Sequence, residues 1–80
     1  MNLEQILTEL VAETANLPSE AIDRNADFFE EGWIDSLGLF RLLVAAEQRT
    51  GIELSPSAAL EEHATTIAGL VRLFREEEDG

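Results

Sequence analysis

The residues with the clearest capacity for chemistry are Asp35 and Ser36, which stand together at the predicted start of a helix. The amino end of a helix has backbone N–H groups without acceptors and the positive end of the helix dipole. It therefore favours an anion, such as a phosphate attached to the Ser36 hydroxyl. An isolated Asp-Ser pair is more often only a helix cap, so the surrounding sequence must decide between the two interpretations.

Other side chains offer little support for catalysis or metal binding. The chain has no cysteine, which excludes a disulfide framework, a zinc-thiolate site and a protein thiol nucleophile. His63 is the only histidine, and we expect it to be a polar residue between two helices. No His, Lys or Cys is spaced with the carboxylates to make a nucleophile and its base. We therefore predict a protein that is not an enzyme and has no catalytic residue and no metal site.

One segment resembles the start of a calcium-binding loop. Asp23, Asn25 and Asp27 have the spacing of the first three ligands. The glycine required at the sixth position is Phe28, and the glutamate required at the twelfth is Ile34. The sequence therefore argues against an EF-hand.

The elements that must position Ser36 are helices joined by one long connection. A first helix begins after Asn2, which can cap it, and ends near Asn16, because Pro18 disfavours helical geometry at Leu17. Residues 17–34 lack helical periodicity but are too apolar for disorder. We expect an ordered loop held to the core by Ile22, Phe28, Phe29, Trp33 and Ile34.

Three further helices follow the loop. The second begins at Asp35 or Ser36 and ends at residues 50–51, where Gly51 is a typical helix terminator. The third covers residues 56–62 after a Ser-Pro start, and the fourth is capped by Thr65 or Thr66. The prediction is an all-α fold, a small four-helix bundle with a long first loop and a short third helix. Residues 1–80 are expected to form a single domain, with residues 76–80 as a frayed acidic tail.

Two apolar stripes run along the second helix when successive residues are placed about 100° apart. The first stripe consists of Leu39, Leu42, Leu43 and Ala46. The second consists of Leu37, Phe40 and Val44. A bundle helix needs one apolar face for the core, so we predict that the first stripe is buried and that the second contacts partners. The long loop is the alternative cover for Phe40.

The segment from Phe28 to Leu37, with the helix that follows it, resembles the attachment region of acyl and peptidyl carrier proteins, the phosphopantetheine carriers. The resemblance extends over roughly residues 3–74, and its most specific part is Asp-Ser-Leu at a helix start. It implies that Ser36 accepts 4′-phosphopantetheine from coenzyme A through a separate phosphopantetheinyl transferase, and that Asp35 helps to present Ser36 to that enzyme. The arm ends in a thiol, which holds an acyl or aminoacyl group as a thioester and delivers it between enzymes.

Two features of the motif separate this chain from fatty-acid carriers. Two residues lie between Gly32 and Asp35, a spacing more similar to D-alanyl and free-standing aminoacyl carriers. Gly38 and Arg41 occupy positions where fatty-acid carriers commonly have acidic residues, whereas Glu47 keeps an acidic position. Amino acid, fatty acyl and polyketide cargoes all stay open at this point.

The resemblance also implies a set of partners. Besides the transferase, these are a ligase or synthetase that activates the acyl or aminoacyl group and a downstream acyltransferase or synthase. We expect Leu37, Phe40, Val44 and Glu47 to contact such partners. The complementary surface on the partner would be a groove with basic residues at its rim.

The charge of the chain restricts its other partners. Seventeen Asp and Glu against five Arg give a net charge of −12, which repels nucleic acid and anionic membranes. The longest apolar run, residues 42–46, is far too short to span a membrane. We expect a cytoplasmic monomer. A non-catalytic acidic adaptor or chaperone-like module is the alternative function, and covalently attached phosphopantetheine distinguishes the carrier from it.

Overall fold

A computed structural model describes the backbone of residues 2–79 and the side chains through residue 78. Within these residues the chain forms four α-helices and no strand. Their bounds are Leu3–Ala15 for α1, Ser36–Thr50 for α2, Pro56–Glu61 for α3 and Ile67–Asp79 for α4. The predicted all-α fold with a short third helix is confirmed. The long first connection contains one 3₁₀ turn, Ser19–Ala21, which the sequence pattern did not predict.

The helices begin and end at residues whose side chains or backbone geometry favour a helix terminus. The Asn2 side chain accepts a hydrogen bond from the Gln5 amide at 2.7 Å and caps α1, which ends at Asn16 in the left-handed conformation. Thr66 caps α4 by accepting from the Gly69 amide at 2.9 Å. Of the two predicted caps for α4, Thr66 is therefore the one used, and α3 ends one residue earlier than predicted.

The core lies where α1, α2 and α4 meet, because α1 packs against both of the other long helices. Its largest fully buried side chains are Leu7, Val11, Phe28, Leu39, Leu42, Ile67, Leu70 and Phe74. Phe28 is the one member of this group that comes from the long loop, so the loop is part of the core and not a flexible tether.

The predicted loop anchors are confirmed with one exception. Phe28 and Ile34 are buried, and Ile22 and Trp33 pack against the core while partly exposed. The prediction for Phe29 was wrong, because its side chain is exposed. The backbone turns tightly after Phe28, and this turn places the next residue on the outer side.

A polar contact joins the loop to the start of α4. The Phe28 amide donates to the Thr65 carbonyl at 2.8 Å, and the Thr65 hydroxyl donates to Asp27 Oδ2. Asp27 Oδ1 accepts from the amides of Phe29 and Glu30. The hydrogen bond from Thr65 lowers the pKa of Asp27 below its usual value, although partial burial opposes the shift. Asp27, whose spacing resembles that of a calcium ligand, thus stabilises a turn and connects it to the start of α4.

The acidic end of the chain is helical in this structure as far as α4 extends, through Asp79. Arg72 lies 3.5 Å from the Glu76 carboxylate one turn later, which supports this end of the helix. Fraying of residues 76–79 stays a prediction, and Gly80 lies outside the described residues.

Replacing Asp27 with Asn should destabilise the fold by about 0.5–1.5 kcal/mol at neutral pH, because the Thr65 hydroxyl loses its charged acceptor. The native pKa of Asp27 is lowered, so its ionised form stabilises the fold above the ordinary carboxyl pKa of about 3.9. That contribution is lost as the pH falls through the native pKa. Urea unfolding at neutral and acid pH should show the difference between wild type and Asp27→Asn shrinking with acid. Asp23→Asn, in the same loop, is the control.

Candidate functional site

The junction between the loop and α2 is fixed by a buried residue followed at once by a helix cap. The Ile34 side chain is buried in the core. Asp35 has extended backbone geometry, its Oδ1 accepts from the Gly38 amide at 2.7 Å, and its carbonyl accepts from the Leu39 amide at 2.9 Å. Asp35 is therefore the cap, and Ser36 is the first residue of the helix.

A tight turn sets the approach to this junction. Gly32 has φ +73°, a conformation that a residue with a Cβ rarely adopts, and the amides of Trp33 and Ile34 both donate to the Phe28 carbonyl. The chain therefore returns to the core at Ile34 directly after the buried Phe28. These two anchors determine where the next two residues, Asp35 and Ser36, lie.

Ser36 is exposed at the amino end of α2. Its hydroxyl has no hydrogen-bond partner among the described residues, and neither have the amides of Ser36 and Leu37. The Asp35 cap uses the next two amides along the helix. An exposed hydroxyl beside two open N–H groups and a helix dipole suits a covalently attached phosphate, so the local geometry fits phosphopantetheine at Ser36.

The two stripes of α2 lie as predicted. Leu39, Leu42, Leu43 and Ala46 are buried, and together they form the α2 contribution to the core. The exposed fractions of Leu37, Phe40 and Val44 are 57%, 51% and 41%. The Phe28 to Ile34 loop therefore leaves Phe40 half-exposed and does not cover the second stripe. Large apolar residues exposed side by side are typical of a surface that binds another protein.

The exposed stripe is divided between two open grooves. Phe40, Val44 and Glu47 line the groove between α2 and α3, and their neighbours there come from the segment before α3 and its first residue, Glu53, Leu54, Ser55 and Pro56. A helical wheel could not predict these neighbours, because they belong to a different part of the chain. No single-helix pattern indicates which connector will pack beside α2.

The second groove lies beside Ser36, between α1 and the start of α2. Leu37 lines it together with Thr14, Trp33, Gly38 and Arg41. Gly38 packs closely against the junction that precedes α2. A Cβ at this position would lie 3.0 Å from Ile34 Cγ2 and 3.2 Å from Asp35 Oδ1, so a larger residue would require these side chains to shift by a few tenths of an ångström.

Comparison with known proteins identifies the family. Residues 5–74 match the family described as "Phosphopantetheine attachment site". The chain belongs to this family. Its domains are non-catalytic carriers, which hold their substrates on a covalently attached 4′-phosphopantetheine group. The family membership favours the carrier over the acidic adaptor that the charge pattern had left open.

A curated relative agrees with the family match. The chain is 32% identical over 74 residues to Polyketide synthase PksL of Bacillus subtilis (strain 168), an alignment that covers 92% of this carrier chain. The carrier spans only about 2% of the length of that synthase. No solved structure gives a significant match.

Two features of the described residues concern membranes and metals. None of their helices is long and apolar enough to cross a bilayer. None of their His, Asp and Glu side chains are grouped as a set that could hold a metal ion.

Truncation of the buried stripe should affect stability far more than polar substitution of the exposed stripe. Leu43→Ala should cost about 2–5 kcal/mol, because it removes buried contacts and leaves a cavity. Val44→Ser, one residue along, should change stability by about 0.5 kcal/mol or less, as exposed positions usually do. Thermal unfolding of both variants measures the difference. Equal melting temperatures would contradict the assignment of the stripes.

Removal of the cap should destabilise the carrier, whereas removal of the neighbouring hydroxyl should not. Asp35→Ala deletes the acceptor of the Gly38 amide and should cost about 0.5–2 kcal/mol. Ser36→Ala deletes a hydroxyl that bonds no described residue and should unfold like wild type. Urea unfolding compares the two variants, and a larger loss for Ser36→Ala would show that Ser36 contributes to capping.

Proposed function

We propose that Ser36 carries the 4′-phosphopantetheine arm and that the protein transports an acyl or aminoacyl group on it as a thioester. The single observation that supports this site best is the position of Ser36. It is exposed, its hydroxyl has no partner among the described residues, and it is the first residue of α2. The bound group supplies a flexible arm with a terminal thiol, the functional group that the chain lacks.

Asp35 has two tasks in this proposal. Its Oδ1 holds the Gly38 amide and so fixes the start of α2, which keeps Ser36 at a constant position relative to the core. Its other carboxylate oxygen has no hydrogen-bond partner among the described residues, and it lies on the residue next to Ser36. We assign this oxygen the role of presenting Ser36 to the phosphopantetheinyl transferase and its metal ion.

The exposed stripe is the proposed contact surface for enzymes. Leu37, Phe40 and Val44 supply apolar anchors, and Glu47 supplies a carboxylate at the edge of the α2–α3 groove. A partner with apolar pockets and basic residues at their rim complements this arrangement. The partners proposed are the transferase, a ligase or synthetase that activates the cargo, and a downstream acyltransferase or synthase.

The packing of the core favours a cargo that needs no internal shelter. The four α2 residues that face the bundle belong to one buried cluster with side chains of α1 and α4, and the grooves beside α2 are open to solvent. A long acyl chain would have to displace core side chains, which are close-packed in proteins. We therefore propose an aminoacyl group or a short acyl group as the cargo. The spacing from Gly32 to Asp35 supports the first, and the polyketide synthase relative supports the second.

The proposed setting is a carrier domain over residues 1–80, acting as a monomer in the cytoplasm. Its role is positional. The arm keeps the thioester near whichever enzyme the domain contacts, which raises the effective concentration of the reacting carbonyl.

Incubation with coenzyme A and a broad-specificity phosphopantetheinyl transferase should add one phosphopantetheine to the wild-type chain and none to Ser36→Ala. Ser57→Ala is the matched control, since Ser57 is also exposed near the start of a helix. It should be modified like wild type. Intact-mass spectrometry gives the readout, and circular dichroism shows that each variant is folded. A modified Ser36→Ala variant would contradict the assignment.

A further inference from the structure

Arg41 is an exposed cation close to the proposed attachment site. It lies on α2, one helical turn after Leu37, in the groove that Thr14 and Trp33 also line. A positive side chain here stands out against the net charge of −12. Its position also separates it from Glu47, which lies in the other groove.

Unlike Arg24 and Arg72, Arg41 has no ion-pair partner among the described side chains. Arg24 lies 2.9 Å from a Glu4 oxygen, and Arg72 lies 3.5 Å from a Glu76 oxygen. Among the side chains that the structure describes, none forms an ion pair or a hydrogen bond with Arg41. The carboxylates of Asp35 and Glu13 line the grooves beside Arg41, but neither forms an ion pair with it. The guanidinium is therefore available to an external acceptor.

An enzyme that docks on the exposed stripe of α2 reaches both Ser36 and Arg41. Five residues of helix separate them by about 7.5 Å along the axis. A standard interface buries about 800 Å² on each partner, which corresponds to a patch about 16 Å in radius. Around the helix axis, Ser36 and Arg41 lie about 70° on either side of the centre of the exposed stripe. A patch centred on that stripe therefore extends to both residues, and the guanidinium loses water when the partner docks.

The phosphate of the arm is not the acceptor that this geometry favours. At about 100° per residue, the directions of Ser36 and Arg41 differ by about 140° around the helix axis. Arg41 points toward the α1 side of α2 and lines a groove in which Ser36 takes no part. The acceptor must then come from the docked protein, because a guanidinium that is desolvated without an acceptor weakens binding.

We propose that a carboxylate of the phosphopantetheinyl transferase pairs with Arg41. The docking surface of the transferase then carries charges of both signs. Basic side chains lie opposite Glu47 and Glu53, and an acidic side chain lies opposite Arg41. This inference rests on the proposed function, since it takes Ser36 as the residue that the transferase modifies. A bidentate Arg-carboxylate pair would also fix the orientation of the two proteins.

The test compares the transferase kcat/KM of Arg41→Glu with that of Arg75→Glu. Both substitutions change the net charge from −12 to −14, but Arg75 is exposed on α4. The change in net charge is therefore the same in both variants, and only its position differs. Arg41→Glu should reduce kcat/KM about tenfold or more relative to Arg75→Glu, because like charges then meet in the interface. Arg41→Lys should lose less than Arg41→Glu, because it keeps the positive charge but not the bidentate geometry, and added salt should narrow the difference between Arg41→Glu and Arg75→Glu.

Three results would overturn the proposal. Equal kcat/KM for Arg41→Glu and Arg75→Glu would show that nothing in the transferase pairs with Arg41. Faster modification of Arg41→Glu would indicate a uniformly basic partner groove. In both cases modification of the wild-type chain would leave the carrier function intact. A folded wild-type chain that the transferase does not modify at all would overturn the proposed function together with this inference.

Discussion

The burial of Ile34 directly before the Asp35 cap is the constraint on which the rest of the site depends. Ile34 is held in the core, and Asp35 ties its own side chain to the Gly38 amide. Two successive residues thus fix the position and the direction of α2. Ser36 comes next, and it is exposed with no hydrogen-bond partner for its hydroxyl among the described residues. Its neighbours in this way hold Ser36, the proposed target of a separate enzyme, at a defined position.

The same junction determines how α2 divides its surface. Once its direction is set, the helix turns Leu39, Leu42, Leu43 and Ala46 into the core, and the second stripe is left outside. Apolar burial at this small size must come from few residues, so one helix contributes to stability and recognition on opposite faces. The two functions share a backbone but few side chains. Gly38 contributes to both stability and recognition, since it packs against the junction and lines the groove next to Leu37.

Features that depend on residues close in sequence could be predicted, and those that depend on distant residues could not. The Asn2 and Ser55 caps act over three residues, and the period of α2 is a local property, so the pattern predicts them. The contact of Asp27 with Thr65 joins residues 38 positions apart and has no local pattern. The exposure of Phe29 depends on a turn set by that contact and by the burial of Phe28. Likewise, the grooves beside α2 arise only when α1 and the segment before α3 pack against it.

The central claim is that Ser36 holds the phosphopantetheine arm and that the arm carries the cargo. Peptide-level mass spectrometry of the protein isolated from its own cells tests this most directly, because it reports the modified residue and the attached group together. We expect phosphopantetheine on the peptide that contains Ser36, with an aminoacyl or short acyl group on part of the material, and none on Ser19, Ser55 or Ser57. Phosphopantetheine on one of those serines, or a chain that carries none, would show that Ser36 does not hold the arm.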